Sequence, residues 1–273
     1  MAEMDDVADL SPLGELDVTA GVHKAGYQGN WKLQFENSVD GYHANFTHRS
    51  YFDVVHRRTG FDPKAVSTSA SPARIRDLGN GHSSWDVSAI AATTQRHSGA
   101  RASADEAARV YVDSLIARHG KERAEYLLAK TSTLVVVFPN LALISSHIRL
   151  IQPIGVEETE VFLFPTLLKG APGEINTRRL RSHEAFYGPA GGGAPDDLEI
   201  FTRNQLGLRA KLDPWLLLAR GITQEETDSS GVRNGQMTDE TPQRAMWRAW
   251  SKLLASDKAS AESTDQPTRA GMR

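Results

Sequence analysis

The residues best suited to chemistry are Asp40, His43 and His48, within Asp40-Gly-Tyr-His43-Ala-Asn-Phe-Thr-His48. A second acidic group, Pro195-Asp196-Asp197-Leu198-Glu199, lies far downstream. Two neutral imidazoles and one carboxylate on one face of a metal ion suit Fe(II) and leave the opposite face open. An open face admits O2 and a substrate, which separates a reactive site from a structural one.

The spacing constrains the local backbone. His43 and His48 are five residues apart, about 140° of rotation in a straight α-helix, so their rings do not share a face. Both reach one metal if the helix holds a π-turn, or if it ends there. Asp40 lies three residues before His43 on the same helical face. Its carboxylate can accept a proton from the free ring nitrogen of a ligating histidine and fix its tautomer. Asn37 lies about one turn further back. The competing readings are plain: an H-x4-H pair alone is weak, and Asp196-Asp197 after a proline can be first-turn acids facing the helix dipole.

The elements that would position these residues follow from periodicity. Val22 to Phe35 reads as a strand running into a helix, and Glu36 to His48 as helix, with Val39, Tyr42, His43 and Phe46 recurring. Arg57 to His97 reads as loops with short strands around Gly79-Asn-Gly81. Ser103 to Lys130 reads as a helix that Gly120 can split. The segments 134–138, 141–144, 147–152 and 160–164 form an antiparallel meander. Helices are expected at 176–186, from Pro195 to Leu206, and from Pro242 to Leu254, with Thr223 to Asp239 a polar loop. Residues 1–21 read as a loosely ordered lead-in, 22–255 as one domain and 256–273 as a disordered tail. Consecutive strands flanked by helices give an α+β class.

Composition narrows the function. The 273 residues are 40% hydrophobic and 24% charged, with net charge −3, which suits a globular protein and argues against nucleic-acid binding. No apolar run is long enough to span a bilayer and no signal-peptide core is visible, so a cytoplasmic location is the default. There is no cysteine, which excludes disulfides, thiolate zinc sites and any cysteine-ligated iron–sulfur cluster in this chain.

The stretch Asn30-Trp-Lys-Leu-Gln-Phe-Glu-Asn37, then Asp40-Gly-Tyr-His43 and Thr47-His48, resembles the catalytic domain of Rieske-type aromatic-ring-hydroxylating dioxygenase α-subunits. The family pattern is N-W-K-x-x-x-E-N followed by D-x-Y-H-x4-H, and every position is matched. Pro195-Asp-Asp197-Leu-Glu199 resembles its third-ligand motif. Phe138-Pro-Asn-Leu141 and Asp239-Glu…Gln243-Arg…Trp250 are most similar to the benzoate/toluate branch. The resemblance covers roughly residues 20 to 255 and implies a helix-grip fold, an antiparallel sheet curved around a long helix.

It further implies that His43, His48 and Asp197 bind Fe(II), that Asp40 links the iron site to an incoming electron donor, and that Asn37 lines the site. The implied reaction is O2-dependent ring hydroxylation, commonly to a cis-dihydrodiol, on a benzoate-like acid. Family members also carry an N-terminal Rieske domain with a [2Fe–2S] cluster. Without cysteine, this chain is expected to take electrons from a cluster on a separate Rieske-bearing chain. A homotrimer or a β-subunit is expected from the resemblance alone. A non-catalytic helix-grip binding or assembly module, or an inactive α-subunit fragment, is the alternative, and a hydrolytic zinc site is a third reading.

Phe138, Asn140, Ile144 and His147 are candidates for the substrate pocket, with core packing the competing role. Arg149 can pair with a carboxylate substrate, although exposed strand arginines are commoner. His23, His56, His82, His97, His119 and His183 lack partner spacing and read as structural or surface residues. Trp247 and Trp250 read as packing anchors. The Gly191–Gly193 run is not a phosphate loop; it lets the backbone come close before Asp197.

Overall fold

The computed structural model describes residues 2–60, 68–89, 105–131, 133–144, 146–213 and 215–264. Its centre is a nine-stranded antiparallel sheet. In chain order the strands are β2 (His23–Tyr27), β3 (Arg74–Gly79), β4 (His82–Asp86), β5 (Leu134–Val137), β6 (Leu141–Ile144), β7 (His147–Gly155), β8 (Glu158–Pro165), β10 (Glu226–Thr227) and β11 (Arg233–Gln236). Their spatial order is β10-β11-β3-β4-β5-β6-β7-β8-β2. Four consecutive hairpin partners, β5 to β8, make the expected meander. Two-residue strands β1 (Leu16–Asp17) and β9 (Leu167–Leu168) pair separately.

The helices supply the second layer. They are α1 (Ala2–Asp9), α2 (Trp31–Asn37), α3 (Ala44–Thr47), α4 (Arg49–Thr59), α5 (Glu106–His119), α6 (Lys121–Ala129), α7 (Gly173–Tyr187), α8 (Ala194–Leu208) and α9 (Thr241–Thr264). The long α9 lies on β3, β4 and β11 and touches α2. Between α2, α9 and the sheet, Trp31, Phe35, Val39, Val136, Ile151 and Met246 form one core cluster. Removing such area from water is the main favourable term of the fold. No described helix is long and apolar enough to cross a membrane.

Several expectations change. The lead-in is ordered, at least over α1. Lys130, 5% exposed, donates from Nζ to Glu3 (2.9 Å), Asp6 (2.9 Å) and the Tyr126 hydroxyl (3.0 Å), fixing α1 to α6. The polar loop at 223–239 contains β11, paired onto β3, and the edge strand β10, paired onto β11. β7 runs through Pro153 to Gly155, with a register shift there that accommodates the proline's missing donor. The last helix continues ten residues past Leu254. Gly120, at φ +79, splits the 106–129 segment as expected; the expected start at Ser103 lies outside the described residues, and Asp105 serves as N-cap through Ala108 N–H.

Candidate metal centre

The largest correction concerns residues 36–48, which form no continuous helix. α2 begins at the Asn30 N-cap, whose Oδ1 accepts from Lys32 N–H (3.2 Å), and buries Trp31, Gln34 and Phe35 on one face. It ends at Ser38, whose hydroxyl donates to Gln34 C=O (2.7 Å). The chain then turns at Gly41, where an added Cβ would overlap the Met237 carbonyl, so the backbone passes only without a side chain. Asp40 builds the turn: its Oδ1 accepts from Tyr42 N–H (2.7 Å) and His43 N–H (3.1 Å). His43 precedes the single-turn α3, and His48, at φ −101 and ψ 21, separates α3 from α4. Of the two routes open to an H-x4-H pair, the structure takes the helix end. These breaks bring two rings together that a straight helix would hold about 140° apart.

α8 brings the carboxylate. Pro195 in its first turn pre-sets the backbone, and Asp197 is buried one turn before buried Phe201. The preceding glycines have a packing reason: a Cβ on Gly192 would overlap the Tyr51 ring, and one on Gly193 the Phe186 ring. The expectation of a close backbone approach there is met.

The three groups converge. His48 Nε2 lies 3.3 Å and His43 Nε2 3.8 Å from Asp197 Oδ1. One ligand atom from each lies within 4.8 Å of the others, and among the described residues no other such cluster occurs. Bonds of about 2.1 Å at right angles would place neighbouring ligand atoms about 3 Å apart. The donor set and its spacing therefore fit a metal ion. His48 and Asp197 are buried and His43 half-buried.

The surroundings hold the ligands in place. Asn37 Nδ2 donates to Asp197 Oδ1 (3.2 Å) across 160 residues of chain. Asp40 Oδ2 is 3.5 Å from His43 Nδ1, at the edge of hydrogen-bond reach. Burial opposes charge on His43, but the Asp40 hydrogen bond and charge and the Asp197 charge outweigh it and raise its pKa. The His48 ring packs edge-on against Phe186 (5.0 Å between centroids) and Phe52 (6.2 Å), which screen it from water.

Of the pocket candidates, Phe138 packs on Trp31 and Phe35, and Ile144 belongs to the same core cluster. Asn140 donates to Ile151 C=O (3.1 Å), tying the β6 hairpin to β7. Phe138 and Ile144 thus have core packing partners and Asn140 a backbone hydrogen-bond partner. His147 lies elsewhere, fully buried against His183 (4.9 Å) and Tyr187 (4.4 Å). His183, read from sequence as structural or surface, is also buried. Burial and neighbouring Arg149 hold the His147 pKa well below the usual value, and burial brings His183 to about 4.

Glu36 was not singled out from the sequence, although it stands beside Asn37. Its carboxylate accepts from Trp247 Nε1–H (2.6 Å), so Trp247 is more than a packing anchor. Burial raises the Glu36 pKa, the Trp247 bond lowers it, Asp40 and Glu240 raise it further, and the result is about 7. Tyr187 and Phe186 also went unrecognised, since an aromatic pair at the end of a helix carries no local mark of what it packs on.

Known proteins place this geometry. A family model described as "Ring hydroxylating alpha subunit (catalytic domain)" matches residues 13–256. The 2-halobenzoate 1,2-dioxygenase large subunit of Burkholderia cepacia is 34% identical over 230 residues, covering 81% of this chain and 46% of that protein. The anthranilate 1,2-dioxygenase large subunit of Acinetobacter baylyi is 30% identical over 228 residues, covering 81% of this chain and 48% of that protein. The chain thus spans about half the length of the curated relatives it matches. Naphthalene 1,2-dioxygenase from Rhodococcus sp., solved with indole bound, superposes with a TM-score of 0.68 at 25% identity, covering 92% of this chain and 59% of that one. That likeness carries the helix-grip architecture expected from the sequence. The chain belongs to the ring hydroxylating alpha subunit family and matches its catalytic domain.

Proposed function

We propose that this chain is the oxygenase half of an aromatic-ring-hydroxylating dioxygenase, with Fe(II) held by His43, His48 and Asp197. The observation that carries the reading is the convergence of two Nε2 atoms on one carboxylate oxygen, at 3.3 and 3.8 Å. Bound there, Fe(II) supplies a reducing centre at which O2 is activated for addition across an aromatic double bond. Three protein ligands leave positions for O2 and for the arene above them.

The chain's own residues set the conditions. Asn37 holds Asp197 Oδ1, the oxygen on which both Nε2 atoms converge, and so fixes where the carboxylate stands. Asp40 holds the His43 backbone and stands 3.5 Å from its Nδ1, with Nε2 on the Asp197 side of the ring. In this reading Asp40 also stands where electrons enter from a Rieske [2Fe–2S] cluster on a separate chain or domain. Phe52 and Phe186 exclude water from the His48 side. The aromatic-acid names of the relatives support a benzoate-like substrate and cis-dihydroxylation. A homotrimer or a β-subunit partner belongs to the same proposal.

Anaerobic loading with Fe(II), followed by a single turnover with a chemical reductant, O2 and a panel of benzoate, 2-chlorobenzoate and anthranilate, tests it. Near-stoichiometric iron and a hydroxylated product are expected. Full iron occupancy in Asp197→Ala would overturn the ligand assignment.

A further inference from the structure

The sheet face beside the metal centre carries a buried charge that Asp197 reaches only through space, without an ion pair. Arg149 lies on β7 between Ala142 of β6 and Leu163 of β8, and is 4% exposed. Its Nη1 donates to the Ser38 hydroxyl (3.0 Å), and the guanidinium lies over the Tyr187 ring at 5.7 Å. Its Nε is buried without a hydrogen-bond partner. No ion pair to Arg149 occurs among the described residues. A guanidinium stays charged even when burial lowers its pKa, as here. Buried arginines are held by carboxylates or phosphates, because an uncompensated charge away from water is strongly unfavourable.

Its neighbours share the deficit. His147, two residues earlier on the same buried face of β7, has both ring nitrogens unpartnered, and His183 Nε2 across from it is unpartnered too. Buried polar atoms in native proteins are nearly always satisfied, by protein, water or ligand. A cation with orphaned donors beside it, in an apolar wall, is the complement of an organic anion. Asp197 is not that anion, since its carboxylate already serves Asn37, His43 and His48.

The position ties this deficit to the reaction site. Ser38, which holds Arg149, directly follows Asn37, which holds Asp197. Tyr187, which lies under the guanidinium, packs on Phe186 (4.7 Å), which in turn packs on His48 (5.0 Å). We propose that Arg149, with His147 beside it, is the specificity-determining anchor for the carboxylate of a benzoate-like substrate. A planar fork matches a carboxylate in bidentate fashion and holds the attached ring in one plane. The anchor rests on the site reading above, and it selects acids over neutral arenes of equal size.

The test is calorimetric binding of benzoate and of its neutral isostere benzamide to the full chain, with and without Fe(II). Benzoate is expected to bind roughly tenfold or more tightly than benzamide, and Arg149→Gln to erase that preference. Arg149→Lys should recover only part of it, because an ammonium keeps the charge and loses the fork. Circular dichroism and iron content should stay at wild-type levels. Should Arg149→Gln fail to fold, Ser38→Ala, which frees the guanidinium, is expected to weaken benzoate several-fold and benzamide little.

Equal affinity for the two ligands, no benzoate binding by the wild type, or unchanged selectivity in the variants overturns the anchor. Sulfate competing as well as benzoate also overturns it, in favour of a general anion site. The two readings fail separately. Arg149-dependent benzoate binding without iron uptake would sink the metal assignment alone, and iron uptake with Arg149-independent binding would sink the anchor alone.

Discussion

Asn37 gives its amide to the carboxylate that completes the donor set, and Glu36, one residue earlier, is a half-buried acid poised near neutrality. The two adjacent residues make separable predictions. Asn37→Ala should leave the fold intact and weaken Fe(II) binding about 10- to 100-fold, as loss of outer hydrogen bonds to metal ligands typically does; competition with a chelator measures it. Glu36 has a folded pKa of about 7 against an ordinary 4.5, so between these values the folded state holds more protons than the unfolded one. Stability therefore falls as pH rises through that window, by up to about 3 kcal/mol from this group. In Glu36→Gln the fall should disappear, which urea melts of both proteins at pH 5 and pH 7 would show.

Two buried neutral histidines act in the opposite direction. His183, at about 4, resists protonation that the unfolded chain accepts from about 6.5 downward, so its contribution is lost as acid is added. The donor set was legible through the wider motif rather than through spacing, since an H-x4-H pair alone is weak and Asp197 after a proline also reads as a first-turn acid. Arg149 was only half legible. Alternation along β7 reveals that residues 147, 149 and 151 share a face, but not which face is buried.

At the scale of elements, the site depends on breaks. Continuous apolar spacing from Val39 to Phe46 suggests one helix, yet the chain leaves helix at Ser38 because Asp40 offers its own carboxylate to the next amides and Gly41 permits contact with Met237. Periodicity reads side chains and does not weigh such competition from a short polar residue. Strands β10 and β11 escaped for a related reason: Arg233-Asn-Gly-Gln236 has no strand-like composition and is held by pairing to β3. The helices at α5 to α9 and the β5–β8 meander were visible because they are long, apolar on one side and bounded by Gly, Pro or a capping Asp. Gly41→Ala should cost about 1–3 kcal/mol by denaturant melt and lower iron occupancy with it, since the displaced turn carries His43. If iron binding survives that substitution at full strength, the turn does not set the ligand geometry.

Across the whole molecule, the parts remote from the site are fixed by charge as well as by packing. Glu3, Asp6 and Lys130 form a buried cluster, extended by Arg123 to Asp6 (2.7 Å) and Asp9 (2.9 Å). Lys130→Met leaves Glu3 to Arg76 and Asp6 to Arg123 alone, and should cost about 1–3 kcal/mol. Limited proteolysis should then cut near α1 before it cuts the sheet.

The ligands' places along the chain have a mechanical consequence. His48 and Asp197 are separated by roughly 150 residues, and most of the nine-stranded sheet lies between them. An ion bridging the two would join the ends of this long loop in the folded chain and be released on unfolding, so it stabilises by mass action. Stability then follows the free-iron concentration logarithmically, about 2.7 kcal/mol at a hundredfold excess over Kd. On the proposed iron-binding reading, the lifetime of the folded chain would be set by iron supply as much as by its sequence.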